Sequence, residues 1–177
     1  MKKLLIASLM GVAFTAMAAD YASVDVGHVR GQAGGLDSRV QTVRAGTEVS
    51  GVQLGVQDRT ARFTDGTSAN SLELTAGKAF GIVTPFVGYG RDNGNATTQP
   101  FSYELVGASV GAPVAGGFAY AGAKTRVLVS NGNPKQTVEY IGYSYPVTKK
   151  LALNVGVDRS FQTIKEHGVT AGVSVNF

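Results

Sequence analysis

The chain has 177 residues, with 24 Gly, no Cys and no Trp, a length that suits one domain. Hydrophobic residues make up 44% and the mean hydropathy is +0.06. Beyond the N-terminal segment there is no apolar run of the ~18 residues a membrane-spanning helix needs. A helical membrane protein and a disulfide scaffold are therefore excluded, whereas a transmembrane barrel is not, because only every second residue of its strands faces lipid.

The one long apolar run is at the start. Lys2 and Lys3 precede an apolar stretch over residues 4–14, and Ala16-Met17-Ala18 follows. A basic segment, a short apolar segment and an A-x-A site predict a secretory signal peptide over residues 1–18, cleaved after Ala18, ahead of one domain over residues 19–177. No Cys follows the site, which argues against a lipoprotein. Without Lys2 and Lys3 the formal net charge falls from +4 to +2. That balance and the expected export argue against a nucleic-acid partner.

The rest of the chain repeats one theme: an alternating run of about ten residues, the length a tilted strand needs to cross a bilayer, followed by a polar or Gly-rich break. Ten such runs lie near residues 22–29, 39–47, 52–62, 71–80, 83–91, 102–112, 118–129, 137–146, 151–161 and 167–177. The second alternates poorly, through Val40, Val43 and Ala45. If weak runs merged, the count would fall to eight, the alternative. None of the runs has helical periodicity. The breaks over residues 31–38, 63–70, 92–101, 130–136 and 162–166 are rich in Gly, Asn, Asp and Ser and read as loops, while those over 48–51, 81–82, 113–117 and 147–150 are tighter turns. Longer loops on one side and short turns on the other is the asymmetry of outer-membrane barrels, and an even strand count returns both ends to the periplasm. The predicted fold is all-β: a transmembrane antiparallel up-and-down barrel of ten strands, with eight as the alternative.

Parity separates two faces. Val52, Leu54 and Val56, then Leu72, Leu74 and Ala76, then Val106, Ala108 and Val110, then Leu153, Val155 and Val157 form apolar rows. Between them stand small or isolated polar residues such as Gln53, Gly55, Thr75, Ser109 and Asn154. A solvated surface carries larger polar side chains, so the small set suits a narrow interior and the apolar rows face lipid. Tyr89, Phe80, Tyr143, Tyr145, Phe161 and Phe177 sit near run ends, as aromatic girdles do at the lipid–water boundary.

The last eleven residues, His167-Gly-Val-Thr-Ala-Gly-Val-Ser-Val-Asn-Phe177, alternate to the end. The tail resembles the closing strand of a Gram-negative outer-membrane β-barrel, and the resemblance implies that Phe177 belongs to the signal read by the barrel-assembly machinery. The segment Tyr140-Ile-Gly-Tyr-Ser-Tyr-Pro-Val-Thr-Lys-Lys-Leu-Ala-Leu-Asn-Val-Gly-Val157 resembles the penultimate hairpin of porins. Thr84-Pro-Phe-Val-Gly-Tyr-Gly90 is similar to the Thr-Pro-aromatic strand starts of small outer-membrane barrels. The chain is about half as long as a general porin and shows no long constriction loop, which argues against a porin-sized pore.

The inward parity collects Asp25, Arg44, Glu48, Arg59, Glu73, Lys124, Arg126 and Asp158, a balanced lumen charge network. Paired, these groups form either a plug or the lining of a narrow conducting path. Inward glycines such as Gly55, Gly107, Gly122 and Gly142 leave space beside them, and Phe86, Tyr120 and Tyr140 can fill it. His28 and His167 lie at the outer ends of the first and last strands, which become neighbours on closure, so the two imidazoles should approach each other. Two His make a poor zinc site, and no metal or other cofactor is expected. Lipid A hydrolysis would need His with Ser and an acid, for which Ser160 and Glu166 are the only candidates by position. Omptin-like proteolysis would need an acidic and His cluster on long raised strands, and none is seen. The expectation is therefore no enzyme and no catalytic residue. Arg30, Arg39, Arg62, Arg91, Lys135, Arg159 and Lys165 form a basic outer rim. With His28 and His167 it could contact lipopolysaccharide phosphates, Arg through bidentate hydrogen bonds. The expected protein is a porin-like outer-membrane barrel with a narrow charged lumen, or else a non-conducting barrel acting at the envelope surface. Outer-membrane lipids, lipopolysaccharide and the assembly machinery are its partners, and the sequence leaves the oligomeric state open.

Overall fold

A computed structural model describes residues 20–31, 36–94, 99–129, 135–162 and 166–177. The predicted signal peptide and Lys165 lie outside the described residues. Ten strands follow one another: β1 (Tyr21–Gly31), β2 (Ser38–Val49), β3 (Val52–Phe63), β4 (Ser68–Gly77), β5 (Val83–Asp92), β6 (Phe101–Val114), β7 (Gly117–Leu128), β8 (Lys135–Pro146), β9 (Leu151–Gln162) and β10 (Glu166–Asn176). Each pairs antiparallel with its sequence neighbours, and β1 pairs with β10 to close the barrel. The count is ten rather than eight. Closure leaves no sheet edge unpaired, which is the condition for strands to lie in hydrocarbon.

The turns follow local chemistry. Ser50 and Gly51 join β2 to β3 with φ of 54° and 77°, and Ala115 and Gly116 join β6 to β7 with φ of 49° and 80°. Two consecutive positive φ values make the type I′ hairpin turn, whose twist matches that of the flanking strands. These tight turns share one end of the barrel with the connections over 78–82 and 147–150, while the other end carries the connections over 32–37, 64–67, 93–100, 129–134 and 163–165. The connections at the first end are the shorter on average, and in outer-membrane barrels that end is the periplasmic one.

Alternation then sorts the side chains. Leu54, Leu74, Val87, Val106, Ile141, Val155 and Val169 all project outward and are exposed, forming an apolar belt. Tyr89 and Phe161 lie toward its outer boundary, and Phe80, Tyr145 and Phe177 toward its periplasmic boundary. Asp25, Gln57, Arg59, Glu73, Lys124, Arg126 and Asp158 point inward and are buried. The molecule is inside-out relative to a soluble barrel.

The irregular alternation of β2 has a physical cause. Val40 faces inward, whereas Val43 faces out. Near the outer mouth the interior is itself apolar: Val29, Val40, Ala61, Phe63, Ala69 and Val138 pack across the barrel, with Leu36 against them. A second interior group, Phe86, Tyr103 and Leu105, packs with Phe101 along β5 and β6.

Candidate functional site: the barrel interior and the outer rim

Seven of the eight predicted network residues point into the lumen. Glu48 does not belong with them: it is exposed near the end of β2, two residues before the turn, where the strand has passed the packed interior. Two further acids occupy inward positions instead, Asp92 at the end of β5 and Glu166 at the start of β10. Among the described residues the inward set is five acids (Asp25, Glu73, Asp92, Asp158, Glu166) and four bases (Arg44, Arg59, Lys124, Arg126). Parity alone reaches Asp92 and Glu166, since each stands an even number of residues from other inward groups. The sequence places both in the polar breaks over 92–101 and 162–166, which hides their inward parity.

Glu73 is the hub. Lys124 Nζ donates to its Oε2 at 2.6 Å, and the Arg126 guanidinium donates to its Oε1. The Tyr103 hydroxyl donates to the same Oε1 at 2.9 Å. The Glu73 and Lys124 side chains have 0% exposure and Arg126 has 4%. Arg126 also donates to Gln136 Oε1 at 3.1 Å and stacks over the Tyr103 ring at 5.2 Å. A second pair lies nearer the periplasmic end, where Arg44 donates to Asp25 Oδ2 at 2.5 Å and to Gln57 Oε1 at 3.1 Å. Burying each ion costs several kcal/mol, which only close pairing and filled hydrogen-bond positions offset. Both Glu73 oxygens meet that condition. Arg59 is as deeply placed, at 2% exposure, among inward carboxylates that include Asp158 and Glu166.

Two of the inward glycines are covered by rings. Tyr120 stands opposite Gly142, and Tyr140 opposite Gly122, on the paired β7 and β8. A Cβ at Gly142 would meet the Tyr120 ring, and one at Gly122 the Tyr140 ring. The rings lie over the bare backbone of the facing strand, Tyr140 buried and Tyr120 half-buried. Beside them, next to Asp25, Arg44 and Asn154, lies a small recess of about 20 Å³, room for a single water. Replacing Gly142 by Val is expected to lower barrel stability by ~1–3 kcal/mol, the cost of overpacking. The urea midpoint of the refolded protein checks this, and an unchanged midpoint would mean that Tyr120 does not occupy this position.

The rim residues fall into register rows on the outward face. Arg159 pairs with His167 and His167 with Arg30. In the next row toward the periplasm Val169 pairs with His28, His28 with Arg39, and Arg39 with Arg62. The two imidazoles are thus diagonal neighbours on adjacent strands, two positions out of direct register. His28 Nε2 lies 3.8 Å from Asp37 Oδ2. Arg159 rests over the Phe161 ring at 4.6 Å. Arg91 stands apart, paired with Leu72 and Ser102, and Lys135 is exposed at the outer end of β8. Ser160 and Glu166 are direct partners but face the lumen, with His167 on the other side of the wall, so these three do not assemble. No group of three or more His, Asp or Glu among the described residues is placed to hold a metal ion.

Comparison with solved structures decides what kind of barrel this is. The β domain of the Bordetella autotransporter BrkA superposes with a TM-score of 0.54 at 14% identity, covering 90% of this chain and 99% of that one. The translocator domain of the autotransporter NalP from Neisseria meningitidis gives 0.51 at 12% identity, covering 90% and 88%. The KdgM porin gives 0.50 at 11%, covering 88% and 99%. The chain has the fold of a Gram-negative outer-membrane β-barrel. Identities this low speak for the fold alone. No protein-family model matches the sequence, and comparison with curated proteins gives no match.

Proposed function

We propose that this outer-membrane barrel is sealed, and acts through its outer surface rather than by passing solutes. The observation that carries the reading is the ion cluster of Glu73, Lys124 and Arg126, whose side chains are 0–4% exposed although they sit in the middle of the lumen. A water-filled path through the barrel would wet them. Strand number is compatible with this: about eight strands enclose an interior that side chains can fill, whereas porins of ~16–18 strands leave an aqueous channel. Ten is close to the filled case. The apolar layer toward the outer mouth fills a further level, and Tyr120 and Tyr140 stand inward nearer the periplasmic end, which supports the same reading. The basic segment, apolar segment and A-x-A site at the N-terminus supply the export route this reading needs.

Planar-bilayer recording of the refolded protein tests the proposal. The expected result is a silent membrane at concentrations where folded barrel is inserted. Reproducible single-channel steps that change amplitude when Glu73 or Arg126 is neutralised would establish the porin-like reading instead, with the ion cluster lining the path.

A further inference from the structure

The outward face carries a groove of about 550 Å³ across β6 to β10. It exists because β7 presents only Ala119 and Ala121 to the outside there, between the taller Val110 on β6 and Ile141 and Tyr143 on β8. Along its upper wall Val110, Ala121, Ile141, Val157 and Val169 form one hydrogen-bonded row, each directly opposite the next. Four strand spacings make that row ~19 Å long.

The row does not stop at Val169. Its next members are His28, Arg39 and Arg62, and the adjacent row toward the outer end carries Arg159, His167 and Arg30. Barrel strands tilt by ~35–45°, so a row perpendicular to them climbs the wall as it goes round. It leaves the apolar belt on β10 and reaches the outer rim on β3, where Arg62 is one residue from the strand end. An apolar track thus runs without a break into six basic or imidazole side chains on five consecutive strands.

We infer that this track binds one lipopolysaccharide molecule, with an acyl chain lying in the β6–β10 groove and a lipid A phosphate held by Arg39 and Arg62. The occupant follows from the combination: the groove is lined almost wholly by apolar side chains, and the cluster at its end has the charge for phosphate, with Arg39 and Arg62 directly opposite each other. Among the six arginines and histidines, His28 has Asp37 3.8 Å away and Arg159 is directly opposite Glu139, which leaves the adjacent Arg39 and Arg62 as the pair to hold a phosphate. The inference extends the surface role proposed above to a defined lipid, and it is independent of whether the lumen conducts.

The test is binding of lipopolysaccharide to the folded barrel in detergent, measured by native mass spectrometry, with deacylated lipopolysaccharide and phosphatidylglycerol as competitors. Arg39→Gln with Arg62→Gln is expected to weaken binding at least tenfold, and Ala121→Phe, which fills the groove, to do the same. Ala119→Leu is a second groove-filling variant should Ala121→Phe fold poorly. Neither groove variant should alter bilayer conductance, which separates failure here from failure of the sealed-barrel reading. Competition by deacylated lipopolysaccharide equal to that of the intact lipid would overturn the acyl-chain assignment. Equal competition by phosphatidylglycerol would overturn the assignment to lipopolysaccharide. Unchanged affinity in both groove variants would overturn the groove itself.

Discussion

Glu73→Gln is expected to destabilise the folded barrel by ~3–5 kcal/mol, the range for removing one side of a buried ion pair. The size follows from what remains. Lys124 and Arg126 both donate to Glu73, and Gln offers one acceptor oxygen and no charge to two fully buried cations. Arg126 keeps its contacts with Gln136 and the Tyr103 ring, whereas Lys124 loses its carboxylate partner. Adding Lys124→Met should therefore recover part of the loss, since an apolar side chain in place of a buried ion costs little. Urea unfolding in lipid vesicles, followed by the gel mobility of the folded form, gives the three free energies. A loss below ~1 kcal/mol would match an ion pair screened by water and would open the lumen to solvent, sinking the sealed-barrel reading together with this prediction.

The fold was largely legible in the sequence because the physical signal was a period of two, repeated ten times and broken by turn residues. Parity placed Asp25, Arg44, Arg59, Glu73, Lys124, Arg126 and Asp158 inside, and the same rule carried Phe86, Tyr120 and Tyr140 in with them. Three things were not legible. Val40, Val29 and Val138 form an apolar layer within the lumen, so the simple rule of polar-in and apolar-out fails near the outer mouth and β2 looks irregular. Asp92 and Glu166 are inward because β5 and β10 run a residue further than the alternation suggested. Partners are set by register and shear rather than by sequence distance. Glu73 and Lys124 meet across the lumen from β4 and β7, and the ladder from Val110 to Arg62 crosses eight strands, a relation that no spacing in the chain announces.

Leu74→Arg is expected to cost up to ~2–4 kcal/mol, the penalty for a charge on the lipid face, which is largest at mid-membrane. Leu74 is 53% exposed, and its neighbour Glu73 is buried on the other side of the same strand. In a water-soluble barrel the change would be a surface substitution, worth no more than ~0.5 kcal/mol in either direction. The two environments thus predict effects several-fold apart at one site, which makes this substitution a direct test of the inside-out arrangement. The depth dependence sharpens it. Arg91, diagonal to Leu74 toward the outer end, is an arginine that the native chain places outward on the adjacent β5, where its partner Leu72 is two residues nearer the rim. Moving the charge two residues along β4, to Leu72→Arg, should therefore cost less than Leu74→Arg, because the penalty falls toward the interface. Vesicle unfolding free energies for the two variants give the comparison. Equal, small costs at both positions would place this wall in water, and a graded loss places it in lipid with the outer boundary near Arg91.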